Sequence, residues 1–169
     1  MLLQAASLVA TVVVGDAEAP AVRQERPVAA WIAPELTFDS LGTGVLPIGL
    51  QVAWQVHGPF ALTFGAVWLP AANVERRQAT LGARWYLAGG ELAPYLSADL
   101  GAARQGIDDT GGQVRQHRFA AAGLGVELAT RSGFSLTSDL ELGPDHVTDY
   151  STDVWRLTAW WRLGLGYRF

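Results

Sequence analysis

The run Trp155–Phe169 constrains the fold of this chain more than any other segment. Trp155, Leu157, Ala159, Trp161, Leu163, Leu165, Tyr167 and Phe169 fall on one face of a two-residue period. Arg156, Thr158, Trp160, Arg162, Gly164, Gly166 and Arg168 fall on the other. Two is the strand period, and a helix does not separate these sets. The first face is apolar or aromatic along its whole length and carries no charge. The segment therefore predicts a long strand with one side in an apolar medium.

The pattern recurs along the chain. Eight segments read as strands: Val28–Phe38, Leu46–Val56, Phe60–Leu69, Ala79–Leu87, Ala93–Arg104, His117–Ala129, Gly133–Leu142 and Trp155–Phe169. In the fifth, Pro94, Leu96, Ala98, Leu100 and Ala102 oppose Tyr95, Ser97, Asp99, Gly101 and Ala103. In the seventh, Phe134, Leu136, Leu140 and Leu142 oppose Ser135, Thr137, Asp139 and Glu141. No window carries a convincing helical stripe. A bilayer needs strands of about 9–11 residues, and these lengths fit.

Alternation alone does not say which face is inside. A soluble sandwich or ligand-binding barrel turns its apolar face inward, whereas a membrane barrel turns it to lipid. Glycine decides. Gly49, Gly65, Gly82, Gly101, Gly123, Gly125, Gly164 and Gly166 all lie on the polar face. A face of glycines and charges suits the crowded interior of a small closed barrel. The expected fold is all-β, an eight-stranded antiparallel up-and-down transmembrane β-barrel. Link lengths point the same way. His57–Pro59, Ala88–Leu92 and Thr130–Ser132 are short, while Asp39–Val45, Pro70–Gln78, Gln105–Gln116 and Gly143–Val154 are longer. Short periplasmic turns and longer outside loops belong to such a barrel. Closure also leaves no open edge in the lipid. Trp54, Trp85, Phe134, Tyr167 and Phe169 fall near the periplasmic rim, and Phe38, Trp68 and Trp155 near the outer rim. These are two candidate aromatic girdles.

Composition removes other classes. The chain has 169 residues, enough for one domain. Its 12 basic residues are all arginine, and the formal charge is −4. That balance argues against nucleic acid as a partner. With no cysteine, disulfides, Cys-based zinc sites and thiol catalysis are excluded. No apolar run long enough for a membrane helix occurs beyond the first few dozen positions. Residues 1–15, MLLQAASLVATVVVG, read as the apolar part of a signal peptide. Ala-x-Ala sites follow at Ala17–Ala19 and Ala19–Ala21. The expected division is a signal peptide over residues 1–21 and a barrel domain over 22–169, with Val22–Pro27 as a polar lead-in.

Three stretches carry a resemblance to a known family. They are WRLGLGYRF (Trp161–Phe169), the hairpin Ala79–Arg104 and GLGVELATRSGFSLTSDLEL (Gly123–Leu142). Over Val28–Phe169 the chain resembles the small eight-stranded outer-membrane β-barrel proteins of the OmpA-transmembrane-domain and OmpX type. The resemblance implies a place in the cell outer membrane of a Gram-negative bacterium. It also implies contact with outer-membrane lipid, a monomer, and recognition by the barrel-assembly machinery through Tyr167 and Phe169. It carries no catalytic motif, and neither an enzyme nor a cofactor is expected.

The candidate site is a lumen charge network of Glu35, Arg84, Asp99, Glu127, Asp139, Glu141, Arg156 and Arg162. A lone buried charge costs several kcal/mol, so these groups are expected to pair. Arg84, Arg156 and Arg162 should be ringed by the carboxylates. Asp139 and Glu141 share a face through strand period alone, which does not point to acid–base chemistry. In the outer links, Asp145, Asp149 and Asp153 with His146 and Tyr150 could meet a divalent cation, but the spacing matches no standard calcium loop. No metal site is expected. Asp108, Asp109 and Arg115 belong to a polar link, and Arg76 and Arg77 could meet lipid phosphates.

Several functions remain open at this point. One is a non-enzymatic barrel with a structural or surface-interaction role, its outer loops meeting an unspecified extracellular ligand. A second is a narrow gated path for ions or small solutes, although eight strands leave no open aqueous channel. A third is a lipid hydrolase using His117, His146 and Ser151. A fourth is a soluble ligand-binding barrel.

Overall fold

The computed structural model describes residues 21–38, 47–70, 74–107, 113–151 and 153–169. Residues 1–20 of the expected signal peptide lie outside the described residues. A short helix, α1 (Ala21–Glu25), comes first. The strands are β1 (Val28–Phe38), β2 (Ile48–His57), β3 (Phe60–Pro70), β4 (Val74–Tyr86), β5 (Leu92–Ile107), β6 (Gln113–Ala129), β7 (Phe134–Thr148) and β8 (Asp153–Arg168). Each pairs antiparallel with its neighbours in sequence order, and β8 returns to β1 to close the barrel. Closure satisfies the backbone of every strand without an exposed edge. The seam ladder is interrupted beside Pro34, and the β6–β7 ladder beside Pro144, because proline has no N–H to donate.

The polar face is inside. Inward positions of β5, β7 and β8 are buried through Tyr95, Ser97, Asp99, Ser135, Thr137, Asp139, Glu141, Thr158, Trp160 and Arg162. The opposite face is exposed and apolar. Outward positions in Val28–Leu36, Ile48–Val56, Phe60–Trp68, Ala79–Leu87, Leu92–Ala102, Ala120–Leu128, Phe134–Leu142 and Trp155–Phe169 carry no charge. Their only hydrogen-bonding aliphatic side chain is Ser138, which accepts the indole N–H of Trp161 at 3.2 Å. That bond satisfies the indole of Trp161, the outward-facing tryptophan midway along β8.

The extents of the strands differ from expectation at one end. β4 begins at Val74, β5 and β6 run on to Ile107 and back from Gln113, and β7 continues to Thr148. Residues 74–78, 105–107, 113–116 and 143–148 were expected in links because they are polar. They instead continue their ladders, with Arg77 opposite Arg104 and His117 opposite Val147. Above the apolar band no lipid restricts side-chain choice, so the hydrophobic pattern fades while the backbone pairing goes on. The contrast of short and long links shrinks with them. Gly58–Pro59, Leu87–Glu91 and Thr130–Gly133 join strands at one end; at the other, 71–73, 108–112 and 149–152 are of similar length, while 39–47, between β1 and β2, stays longer. Strand height adds a second difference between the two ends. The lead-in also differs, since Ala21–Glu25 forms the helix α1.

Glycine makes room for interior rings. A Cβ at Gly101 would run into the ring of Phe119, and one at Gly125 into that of Tyr95. Phe119 packs on Trp160 at 5.0 Å between centroids, and Tyr95 meets Tyr86 edge-on at 5.5 Å. Gly101→Val is expected to displace Phe119 and cost about 1–3 kcal/mol by overpacking. Urea unfolding of the detergent-folded barrel measures it, and an unchanged midpoint would refute the tight fit.

Candidate functional site

The lumen charges stack in layers. At the short-turn end, Glu127 is the hub. Arg168 donates to it through Nε at 2.5 Å and Nη2 at 2.8 Å, and Ser135 Oγ at 2.8 Å. The Tyr86 hydroxyl donates at 2.5 Å and Arg23 Nε at 3.2 Å. Arg23 comes from α1, and its other nitrogens reach the carbonyls of Gly90, Glu91 and Glu127. The Arg23 side chain thus ties α1 to this end of the barrel. Glu127, Arg168 and Arg23 are all buried.

The middle layer turns on Arg162. Its Nε lies 2.8 Å from Asp139 Oδ1, Nη1 2.7 Å from Asp99 Oδ2 and Nη2 2.5 Å from Glu141 Oε1. Arg84 shares Asp139 at 3.3 Å and donates to Gln51 Oε1 at 2.7 Å. Its guanidinium sits over Trp31 at 4.9 Å and Tyr95 at 4.4 Å. The indole N–H of Trp31 donates to Ser135 Oγ at 2.9 Å, so Trp31 links the two layers. Such stacking adds to the ion pairs when water is excluded.

Toward the other end, Gln78 donates to Glu35 at 3.3 Å and Arg76 lies 3.7 Å from the same carboxylate. Glu35 stands opposite Arg162 in the seam register. His117 Nδ1 is 3.0 Å from Asp145 Oδ2, and Arg156 is 4.0 Å from that carboxylate. Arg115 pairs with Asp149 at 3.3 Å above them.

The structure therefore places Glu35, Arg84, Asp99, Glu127, Asp139, Glu141 and Arg162 in the buried lumen. Arg156 stands apart from the middle layer, beside Asp145. Reading the sequence missed Arg168, Arg23, His117, Asp145 and Arg76 as lumen members. Arg168 carried a signal, since strand period sets it on the face of Arg162. Arg23 carried none, because it precedes the first strand.

On the outer surface, Trp54, Trp68, Trp85, Phe134, Trp155, Tyr167 and Phe169 are exposed. The side chain of Phe38 lies outside the described residues. Trp68 stands opposite Arg77, Arg118 opposite His146, and His146 opposite Trp155, on which it stacks at 4.6 Å. At the other rim the Tyr167 hydroxyl donates to the Ser132 carbonyl at 2.5 Å.

The remaining candidates do not converge. His117 points inward and His146 outward, so the barrel wall separates them, and Ser151 bonds Asp149. Asp145, Asp149 and Asp153 each face a different partner, respectively His117, Arg115 and His146. Among the described residues, no three acids or histidines could hold a metal. Asp108 and Asp109 lie outside the described residues.

A closed eight-stranded barrel, charged inside and apolar outside, is a transmembrane β-barrel of the outer-membrane class. Known structures share its fold. The N-terminal β-barrel domain of Pseudomonas aeruginosa OprF superimposes with a TM-score of 0.61 at 15% identity, covering 84% of this chain and 98% of that one. Neisserial surface protein A gives 0.58 at 15% identity, covering 84% and 96%. The outer membrane protein AlkL, solved in lipid bilayers, gives 0.53 at 17% identity, covering 85% and 90%. No protein-family model and no curated sequence matches the chain.

Proposed function

We propose that this chain is a closed, non-enzymatic structural barrel of the outer membrane that meets partners through the raised wall of β4–β8. The Arg162 cluster carries the reading. One guanidinium from β8 reaches carboxylates on β5 and β7, and Arg84 of β4 joins the same Asp139. Those bonds span the lumen, and the Glu127 hub closes it again nearer the short turns. An aqueous path would have to break buried ion pairs in both layers, each costly to open. Function outside the lipid then falls to the wall. β5 and β6 have 16 and 17 residues, whereas β1 and β2 have 11 and 10. One side of the barrel therefore stands taller, and its upper surface is polar.

Planar-bilayer recording on the purified full chain tests the closed lumen. The wild type is expected to show no steady conductance. Steady openings whose ion selectivity changes in Arg162→Gln would overturn the proposal in favour of an ion path.

A further inference from the structure

We propose that the outer face of β4–β6 binds the phosphate of an anionic lipid headgroup through Arg77, Arg104 and Arg118. The register brings these residues together. Arg77 stands opposite Arg104, and Arg118 stands opposite Ala102, one outward position below Arg104. All three are exposed on the outward face. They are the first charges above the uncharged band, at the level where a headgroup begins. Trp68, on the next strand, faces Arg77 across the β3–β4 ladder and is exposed. An exposed tryptophan at this height belongs to a membrane interface.

The cluster is short of negative charge. Arg77 holds Glu75, with Nε 2.7 Å from Oε1. Among the described residues, no carboxylate pairs with Arg104 or Arg118. Like charges opposite each other on a sheet repel, so the patch costs stability until an anion joins it. A chain of net charge −4 has placed three cations side by side here.

Shape agrees with charge. An open depression of about 460 Å³ lies among Arg77, Ala79, Ala102, Arg104, Gln116 and Arg118. The two alanines stand where Leu81 and Leu100 fill the next outward positions below. The hollow therefore has three guanidiniums around two alanines, with the apolar band of Leu81 and Leu100 directly below. That is the profile of a lipid with a phosphorylated head and acyl chains beneath it. Guanidinium forks match phosphate oxygens in pairs, which lysine would not do. The proposal rests on the membrane placement of the barrel and is independent of whether its lumen conducts.

Native mass spectrometry of the full chain from a zwitterionic detergent tests it, with diphosphoryl lipid A as the probe. The wild type is expected to retain the lipid. Arg104→Gln and Arg118→Gln should each weaken retention by about tenfold or more, as loss of a charge-assisted bond implies. Arg131→Gln removes an equal charge at the short-turn end and should leave retention unchanged. Both patch residues are exposed, and heat-modifiable gel mobility verifies that each variant is folded. Equal loss in Arg131→Gln would reduce the effect to net charge and overturn the proposal. Equal retention of fully dephosphorylated lipid A would assign binding to acyl chains and also overturn it. Displacement by inorganic phosphate, with phosphate binding alone as tightly, would make this a free-anion site and overturn the lipid assignment.

Discussion

Glu127→Ala is expected to lower the stability of the folded barrel by about 3–5 kcal/mol, the scale of breaking a buried ion pair from one side. Glu127 accepts from Arg168, Arg23, Tyr86 and Ser135 at once. Its removal strands two guanidiniums that are 0% and 5% exposed. Glu127→Gln keeps the shape and loses only the charge, so it should recover part of the loss. The measurement is urea unfolding in detergent, followed by tryptophan fluorescence. Wild-type stability in Glu127→Ala would mean that water already reaches this layer.

Arg162→Ala should cost as much or more, and for the opposite reason. It leaves Asp99, Asp139 and Glu141 facing one another with only Arg84 nearby, on Asp139. Adding Glu141→Gln removes one of the repelling charges and takes no carboxylate from Arg84. The double variant is therefore expected to be more stable than Arg162→Ala alone, although each change is destabilising in the wild type. A double-mutant cycle isolates that coupling, expected at about 1–3 kcal/mol. Strict additivity would show that the two side chains do not act as a unit.

The membrane-embedded part of this fold was legible because lipid enforces a simple rule. Every outward position in Leu92–Ala102 must be uncharged, and the alternation follows at once. Above the band the rule lapses. Val74–Gln78 and Gly143–Thr148 contain Glu, Arg, Asp, Gly and Pro, which read as link residues, yet their backbones pair with β5 and β8. The inward set was legible by period, down to Asp99 and Glu141. Who meets whom was not, since partners such as Arg84 and Asp139 lie 55 residues apart across the lumen. Arg23 was hidden for a further reason. It lies in the helix α1, ahead of the first strand, and strand period says nothing about where such a side chain points.

The layered ion pairs also bear on how the barrel is completed. Arg162 and Arg168 both lie on β8, while their carboxylates lie on β5, β6 and β7. A chain that has laid down seven strands therefore holds Asp99, Glu127, Asp139 and Glu141 with only Arg23 and Arg84 beside them, half of the four arginines that pair with this set. In an apolar setting that intermediate is heavily penalised. Arrival of the last strand joins the seam and neutralises the interior in a single event. Charge balance thus acts as a count of strands: a barrel short by one is electrically wrong as well as open-edged, and assembly gains an all-or-none character from its own lumen.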